Sequence, residues 1–295
     1  MDMFTGAGVA IATPFKADGT VDYDEFDRLI EFQIENGTDA IIVCGTTGES
    51  ATLSEKEHME VVKHCIKRVN HRVPVVAGAG SNATHTAVEL SKESEDFGAD
   101  ALLSVTPYYN KGTQDGMVRH FTAVSEAVNI PIIVYNVPSR TGSNISPQSM
   151  AKLVKETKNV RGIKDATGDL AQCAMTMHLC GEDLTVYAGN DDVIVPVMAL
   201  GGKGVISVLS NIAPKQTHDI CVKCLEGDFK TAGKMQAEAM PLIKALFCEV
   251  NPIPVKYGLE LLGFSSMSLR LPLTEMSAAN RPLLEQEMKA YGLLK

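Results

Sequence analysis

Eight times between Gly8 and Glu226 a short run rich in β-branched residues is followed by a longer amphipathic stretch. No other feature restricts the fold as severely. Strands separated by helix-length crossovers pair in parallel, and eight such units in one chain can close into a barrel with strands inside and helices outside. The strand segments are residues 8–13, 40–44, 73–77, 101–105, 132–135, 160–164, 184–187 and 204–208. Helical stretches follow at residues 23–36, 54–69, 84–97, 114–128, 147–157, 170–179, 193–200 and 214–226. Start signals support several of these: Asp22 precedes the first, Ser54 and Glu57 have capping-box spacing, and Pro147 stands at a first-turn position. A nucleotide-binding open sheet would carry a glycine fingerprint after its first strand. Gly78-Ala79-Gly80-Ser81 follows the third strand instead, lacks the third glycine, and reads as a tight loop. The sequence therefore predicts an α/β fold, a (β/α)8 TIM barrel over residues 1–226. Beyond Gly227 the periodicity is purely helical, at residues 229–249, 252–262 and 275–291, and predicts a C-terminal helical extension over residues 227–295.

Composition narrows the class of ligand. With 45% apolar residues the chain can bury a large core, and its net charge of -9 repels polyanions, which argues against nucleic acid and anionic membranes as partners. A small metabolite fits better. No apolar run reaches the ~20 residues of a membrane helix. The N-terminus carries Asp2 where an export signal needs positive charge and soon meets Pro14, so a cytoplasmic protein is expected. Seven cysteines, an odd and scattered set, read as free thiols. Cys221 and Cys224 lack the further ligands a zinc site needs, so no metal is expected.

In such a barrel the chemistry lies at the C-terminal ends of the strands. Those ends carry Gly45-Thr46-Thr47-Gly48-Glu49, Tyr108-Tyr109, Tyr135-Asn136, Lys164-Asp165 and Gly189-Asn190-Asp191. Strict alternation through the sixth strand puts Val160, Gly162 and Lys164 on one face. If that face is inward, the Lys164 ammonium is desolvated, its pKa falls, and the free amine can attack a carbonyl to give a Schiff base. The alternative is a strand-end lysine reaching solvent. Tyr135 shares a face with Ile133 and could stand beside Lys164 to shuttle protons. The glycine-bracketed Thr46-Thr47 loop can cradle a carboxylate or simply make a capped turn.

Four motifs taken together are more specific: GTTGES at residues 45–50, YNVPSRTG at 135–142, GIKDATGD at 162–169 and AGND at 188–191. In order and spacing the chain resembles the 4-hydroxy-tetrahydrodipicolinate synthase family, formerly dihydrodipicolinate synthases, of the N-acetylneuraminate lyase superfamily. The resemblance implies condensation of pyruvate with L-aspartate 4-semialdehyde on the route to diaminopimelate and lysine, without a cofactor. It implies Lys164 as the Schiff-base lysine, with Tyr135, Thr46 and Tyr109 as a proton relay, Tyr109 being supplied across a dimer interface. Thr47 matches a residue that helps bind the pyruvate carboxylate, Gly189 and Ile206 match positions that line the pyruvate site through their backbones, and Arg140 matches the anchor for the semialdehyde carboxylate. A homo-oligomer, a dimer of tight dimers, is expected with it.

Some members of the family are inhibited by lysine bound at the tight dimer interface. The matching positions here are Ser50, Ala51, Glu55, His58, Asn82, Thr86 and Tyr108. Glu55 replaces a histidine, and Thr86 stands where a glutamate would pair with the effector's ammonium, so the resemblance implies a degenerate site. Sugar-cleaving relatives share the lysine and the tyrosine, and Arg140 is what separates them, because they need no second carboxylate anchor there. Asp165, where many relatives carry glutamate, reads as tolerated variation. A barrel that merely binds a keto acid is the rival from another class, and an imine-forming lysine is superfluous to it.

Overall fold

The computed structural model describes residues 3–295; Asp2, which entered the reading of the N-terminus, lies outside the described residues. Eight parallel strands close into a barrel in chain order: β1 (Gly6–Ala10), β2 (Ala40–Val43), β3 (Val75–Gly78), β4 (Ala101–Val105), β5 (Ile132–Asn136), β6 (Val160–Asp165), β7 (Thr185–Ala188) and β8 (Gly204–Ser207). β8 returns to β1 through a register running from Gly6↔Gly204 to Val9↔Ser207. Around them lie α1 (Tyr23–Glu35), α2 (Glu55–Val69), α3 (Thr84–Asp96), α4 (Gln114–Ala127), α5 (Pro138–Thr141), α6 (Pro147–Glu156), α7 (Leu170–Cys180), α8 (Ile194–Ala199) and α9 (Pro214–Leu225). The chain then adds α10 (Phe229–Leu246), α11 (Ile253–Leu261) and α12 (Arg281–Ala290).

The start signals act as their chemistry requires. Asp22 accepts the Glu25 N–H at the head of α1, Ser54 and Glu57 close a capping box on α2, and Ser146 caps α6 with Pro147 in its first turn. The first strand is shifted from its expected range, because the Ala12 N–H turns away from the ladder to the Asn211 side chain at 3.0 Å. α5, four residues long, was not expected; at that length no amphipathic period can show. The last helix begins at Arg281 rather than near residue 275, since the Glu249 carboxylate holds the Ser277 N–H, the Ser277 hydroxyl and the Asn280 amide in a turn before it.

Alternation sorts the strand residues into two cores. Inward side chains, among them Phe4, Ile42, Ile133, Tyr135, Tyr187 and Ile206, form one buried cluster, while outward residues such as Val9, Ile41, Val134 and Ile163 pack beneath the helices. Phe4 stacks on Tyr187 with centroids 4.3 Å apart, and the Tyr187 hydroxyl donates to the Phe4 carbonyl at 2.7 Å. One strand breaks the rule. Ile132 pairs with Val160 but Ile133 pairs with Gly162, so a bulge at Arg161 sends Val160 into the outer core while Gly162 and Lys164 face inward. The expectation that Val160 shares the face of Lys164 is thereby corrected: the extra residue reverses the alternation above it.

The extension does not stand apart. α10 packs on α8 and α9, α12 on α10 and α11, and Leu242, Leu246, Val255, Leu259, Leu284 and Met288 belong to the same buried cluster as the barrel's outer face. Among the described residues no helix is long and apolar enough to cross a membrane, and all seven cysteines are free.

Closure leaves no room at Gly204, where a Cβ would lie 1.9 Å from the Gly6 carbonyl oxygen. At Gly233, inside α10, nothing stands within 4 Å of that position. Gly204→Ala should cost on the order of 3 kcal/mol. Gly233→Ala should instead stabilise by roughly 0.5–1 kcal/mol. Urea unfolding midpoints moving in opposite directions would bear this out; an unmoved Gly204→Ala midpoint would contradict the barrel closure.

Candidate active site

The C-terminal mouth of the barrel holds a cleft of about 200 Å³ lined by Thr46, Thr47, Tyr135, Arg140, Lys164 and Gly189, and by Phe247 and Asn251 from the extension. Lys164 is only 5% exposed. Its cross-strand partners are Tyr135 on β5 and Tyr187 on β7, and its Nζ stands 4.3 Å from the centroid of the Tyr135 ring. Burial pulls the ammonium pKa down to about 8; the Asp191 carboxylate pushes the other way, and the Arg140 guanidinium adds to the lowering. At pH 7 roughly a tenth of such a lysine is free amine, the form that attacks a carbonyl, far more than for an exposed lysine.

Tyr135 is buried, and burial raises its phenol pKa although Arg140 and a hydrogen bond with Thr46 oppose the rise. The phenol therefore keeps its proton and can pass it on. Thr46 and Thr47 lie in the loop after β2, whose carbonyls at Thr46 and Gly45 accept from Glu49 and Ser50 at 3.1 and 3.4 Å. The Thr13 hydroxyl braces the loop from below by donating to the Gly48 carbonyl at 2.8 Å. Thr47 accepts at its hydroxyl oxygen from the Asn251 amide at 3.0 Å, which leaves the hydroxyl proton free to be donated. Arg140 is positioned by α5, which the Pro138 ring starts and Gly142 ends.

Other expected residues lie elsewhere. The Ile206 side chain is fully buried in the inner cluster with Tyr135 and does not line the cleft. Tyr109 is 89% exposed, in left-handed backbone at φ 70°, and lines neither this cleft nor its neighbour. That neighbour is a cavity of about 440 Å³ lined by Ser50, Ala51, Glu55, His58, Thr86 and Tyr108, and it shares Thr46, Tyr135 and Arg140 with the cleft. His58 is buried there, its Nε2 lies 2.6 Å from the Gly78 carbonyl, and burial lowers its pKa, so it brings no charge. Asn82 is not among the lining residues; its carbonyl accepts from the Asn110 amide at 2.9 Å.

Two residues at the site were given no role from sequence. Asp191 is buried with one oxygen accepting from the Val208 and Leu209 N–H groups at 3.1 and 3.0 Å and its other oxygen unpartnered among the described residues. Its motif was visible, its coupling to Lys164 was not. Asn251 reaches Thr47 across 204 residues of chain, a contact that leaves no local signal. Asp165, by contrast, faces away from the cleft: its carboxylate accepts from the Thr167 N–H and hydroxyl at 2.9 and 2.6 Å and from the Cys173 thiol. A short acidic side chain serves that loop. Among the described residues no group of three or more His, Cys, Asp or Glu side chains could hold a metal ion.

The lowered pKa of Lys164 fixes a pH profile. Capture of a small keto acid at this residue should accelerate about tenfold per pH unit below the pKa, then level off above pH about 8. Arg140→Ala should move that bend upward, because the guanidinium disfavours the ammonium. Stopped-flow imine formation across pH 6 to 10 checks both; a rate still climbing at pH 10 would show an ordinary exposed lysine.

A family model described as the dihydrodipicolinate synthetase family matches residues 3–291. The 4-hydroxy-tetrahydrodipicolinate synthase of Lachnoclostridium phytofermentans is 56% identical over 294 residues, covering 100% of both chains. The solved dihydrodipicolinate synthase of Thermotoga maritima superposes with a TM-score of 0.97 at 44% identity, over 99% of this chain and 100% of the other. A chloride-inhibited dihydrodipicolinate synthase from Acinetobacter baumannii, solved with pyruvate, gives 0.96 at 43% identity over 98% and 99%.

Proposed function

Because the chain belongs to the dihydrodipicolinate synthetase family, we propose that Lys164 captures pyruvate as a Schiff base in the reaction of that family. The activity is that of a class I, aldolase-type lyase. It condenses pyruvate with L-aspartate 4-semialdehyde to 4-hydroxy-tetrahydrodipicolinate, on the route to diaminopimelate and lysine. The observation that carries the assignment of Lys164 is its amine, buried at the cleft floor against the Tyr135 ring with its pKa brought down to about 8.

Each step has a group to perform it. The Lys164 amine adds to the pyruvate ketone, water leaves, and the protonated imine withdraws electrons so that the methyl carbon loses a proton to give an enamine. The enamine carbon attacks the aldehyde. The semialdehyde's own amine then displaces Lys164 by transimination and closes the ring. Tyr135, bonded to Thr46, moves the protons. The Thr46–Thr47 loop receives the pyruvate carboxylate, with Gly189 and Ile206 bordering the pyruvate site through their backbones. Arg140 binds the second carboxylate with a planar fork that sugar-cleaving relatives do not need at this place.

Tyr109, remote from the cleft in a single chain, is supplied across a subunit contact in this reading. The working form is a homo-oligomer, built as a dimer of tight dimers, in the cytoplasm. Within it residues 1–226 act as the catalytic barrel and residues 227–295 as the extension that completes the cleft wall with Phe247 and Asn251.

Intact-mass spectrometry after borohydride reduction with pyruvate tests the covalent step. A pyruvate-sized adduct should form on the parent chain and be lost in Lys164→Ala; an adduct surviving that substitution would remove the assignment. The neighbouring cavity offers Thr86 and Glu55 to an incoming lysine in place of a glutamate and a histidine. Losing the glutamate removes a charge-assisted hydrogen bond worth up to ~3 kcal/mol. Feedback inhibition should therefore be weak or absent, and inhibition at submillimolar lysine in a steady-state assay would refute this.

A further inference from the structure

The loop that cradles the carboxylate is held in place from outside the barrel. Glu49, next to its last glycine, sits in left-handed backbone at φ 53°, a conformation that a glutamate adopts only under constraint. Its carboxylate is paired with the Lys256 ammonium on α11, and both side chains are 1% exposed. The Lys256 Nζ also donates to the Ser268 carbonyl at 2.8 Å and lies 4.3 Å from the centroid of the Phe15 ring. The Arg270 guanidinium is 4.3 Å from the same centroid, bonded to the Glu57 carboxylate at 2.7 and 3.2 Å and to the Thr52 and Gly19 carbonyls. The Arg270 N–H donates to the other Glu49 oxygen at 3.3 Å. Five residues before Lys256, Asn251 donates to the Thr47 hydroxyl. One stretch of the extension thus grips the loop at Thr47 and at Glu49.

A fully buried ion pair is a poor device for stability, because desolvating both charges offsets most of their attraction. What it supplies is a fixed geometry: the carboxylate can rest only where the cation is. We infer that Lys256 is a positioning residue of the active site, which through Glu49 sets the place of Thr46 and Thr47 and hence the fit of the pyruvate carboxylate. The inference rests on the reading of Lys164 and this loop given under Proposed function. On this view the extension, far from the barrel in sequence, decides how tightly the first substrate is held.

The test is the pyruvate dependence of the borohydride-trapped adduct on the full chain. Lys256→Met alone strands a buried carboxylate and is expected to unfold readily, so the informative variant is the charge-free pair Glu49→Gln with Lys256→Met. With its melting temperature close to that of the parent, it should need roughly ten times more pyruvate for half-maximal adduct, while the adduct formed at saturation is retained. An unchanged half-saturation in that folded double variant would reduce the pair to a structural role and overturn the inference. If the double variant does not fold, Lys256→Arg carries the test, since it keeps the pair but displaces the cation: a raised half-saturation supports the inference and an unchanged one overturns it. A parent chain that gives no adduct at all would defeat the Schiff-base reading, and this inference with it.

Discussion

Putting a lysine amine inside a barrel of apolar side chains is the constraint around which the molecule is organised. Water can no longer hydrate the ammonium, and the folded chain recovers part of that loss by letting the group become neutral. Everything near Lys164 adjusts to this one desolvated nitrogen. Tyr135 and Tyr187 flank it as cross-strand partners, Arg140 opposes its charge, and Asp191 favours it. Burial sets the amine's lowered basicity, and the opposing charges of Asp191 and Arg140 trim it. Below the cleft the barrel interior is filled by Phe4, Ile42 and Ile206, so the amine meets solvent only from the mouth side.

Burial makes Asp191 and Lys164 mutually dependent. Its carboxylate pKa is raised chiefly by desolvation, yet two backbone N–H groups and Ser207 hold it in the opposite direction. Those same bonds tie the turn after β8 to the segment after β7, where Gly189 lines the cleft. The electrostatic partner of Lys164 is therefore also a staple of the loop that lines the cleft.

Much of this was legible in the chain. The eight strands announce themselves because inward and outward residues are both apolar, so each strand reads as a short unbroken β-branched run; the helices announce themselves through caps such as Ser54 with Glu57. Lys164, Tyr135, Thr46, Thr47, Arg140 and Gly189 could be placed at one mouth because the topology puts every strand's end there. What stayed hidden has a common cause. The contact of Asn251 with Thr47 and the pairing of Lys256 with Glu49 join segments more than two hundred residues apart, and no local period encodes them. The position of Tyr109 was assigned by resemblance alone, and a single chain leaves its side chain in solvent. Ile206 was matched by resemblance to a position that meets the pyruvate site through its backbone, and its side chain belongs to the inner cluster.

The bulge at Arg161 deserves its own reckoning as a transplantable part. A strand copied into another barrel by counting inward and outward positions from Val160 would present the amine to the helices instead of the cleft. Arg161 makes the inserted residue tolerable by spending its guanidinium on the carbonyls of Val154, Thr157 and Val160, which anchors the kink to the end of α6. The unit that travels is thus the strand together with the helix turn before it. Deleting Arg161 would restore plain alternation with Val160 outward and Lys164 still inward, so what the extra residue contributes is the tie between this strand and α6 rather than the facing of the amine.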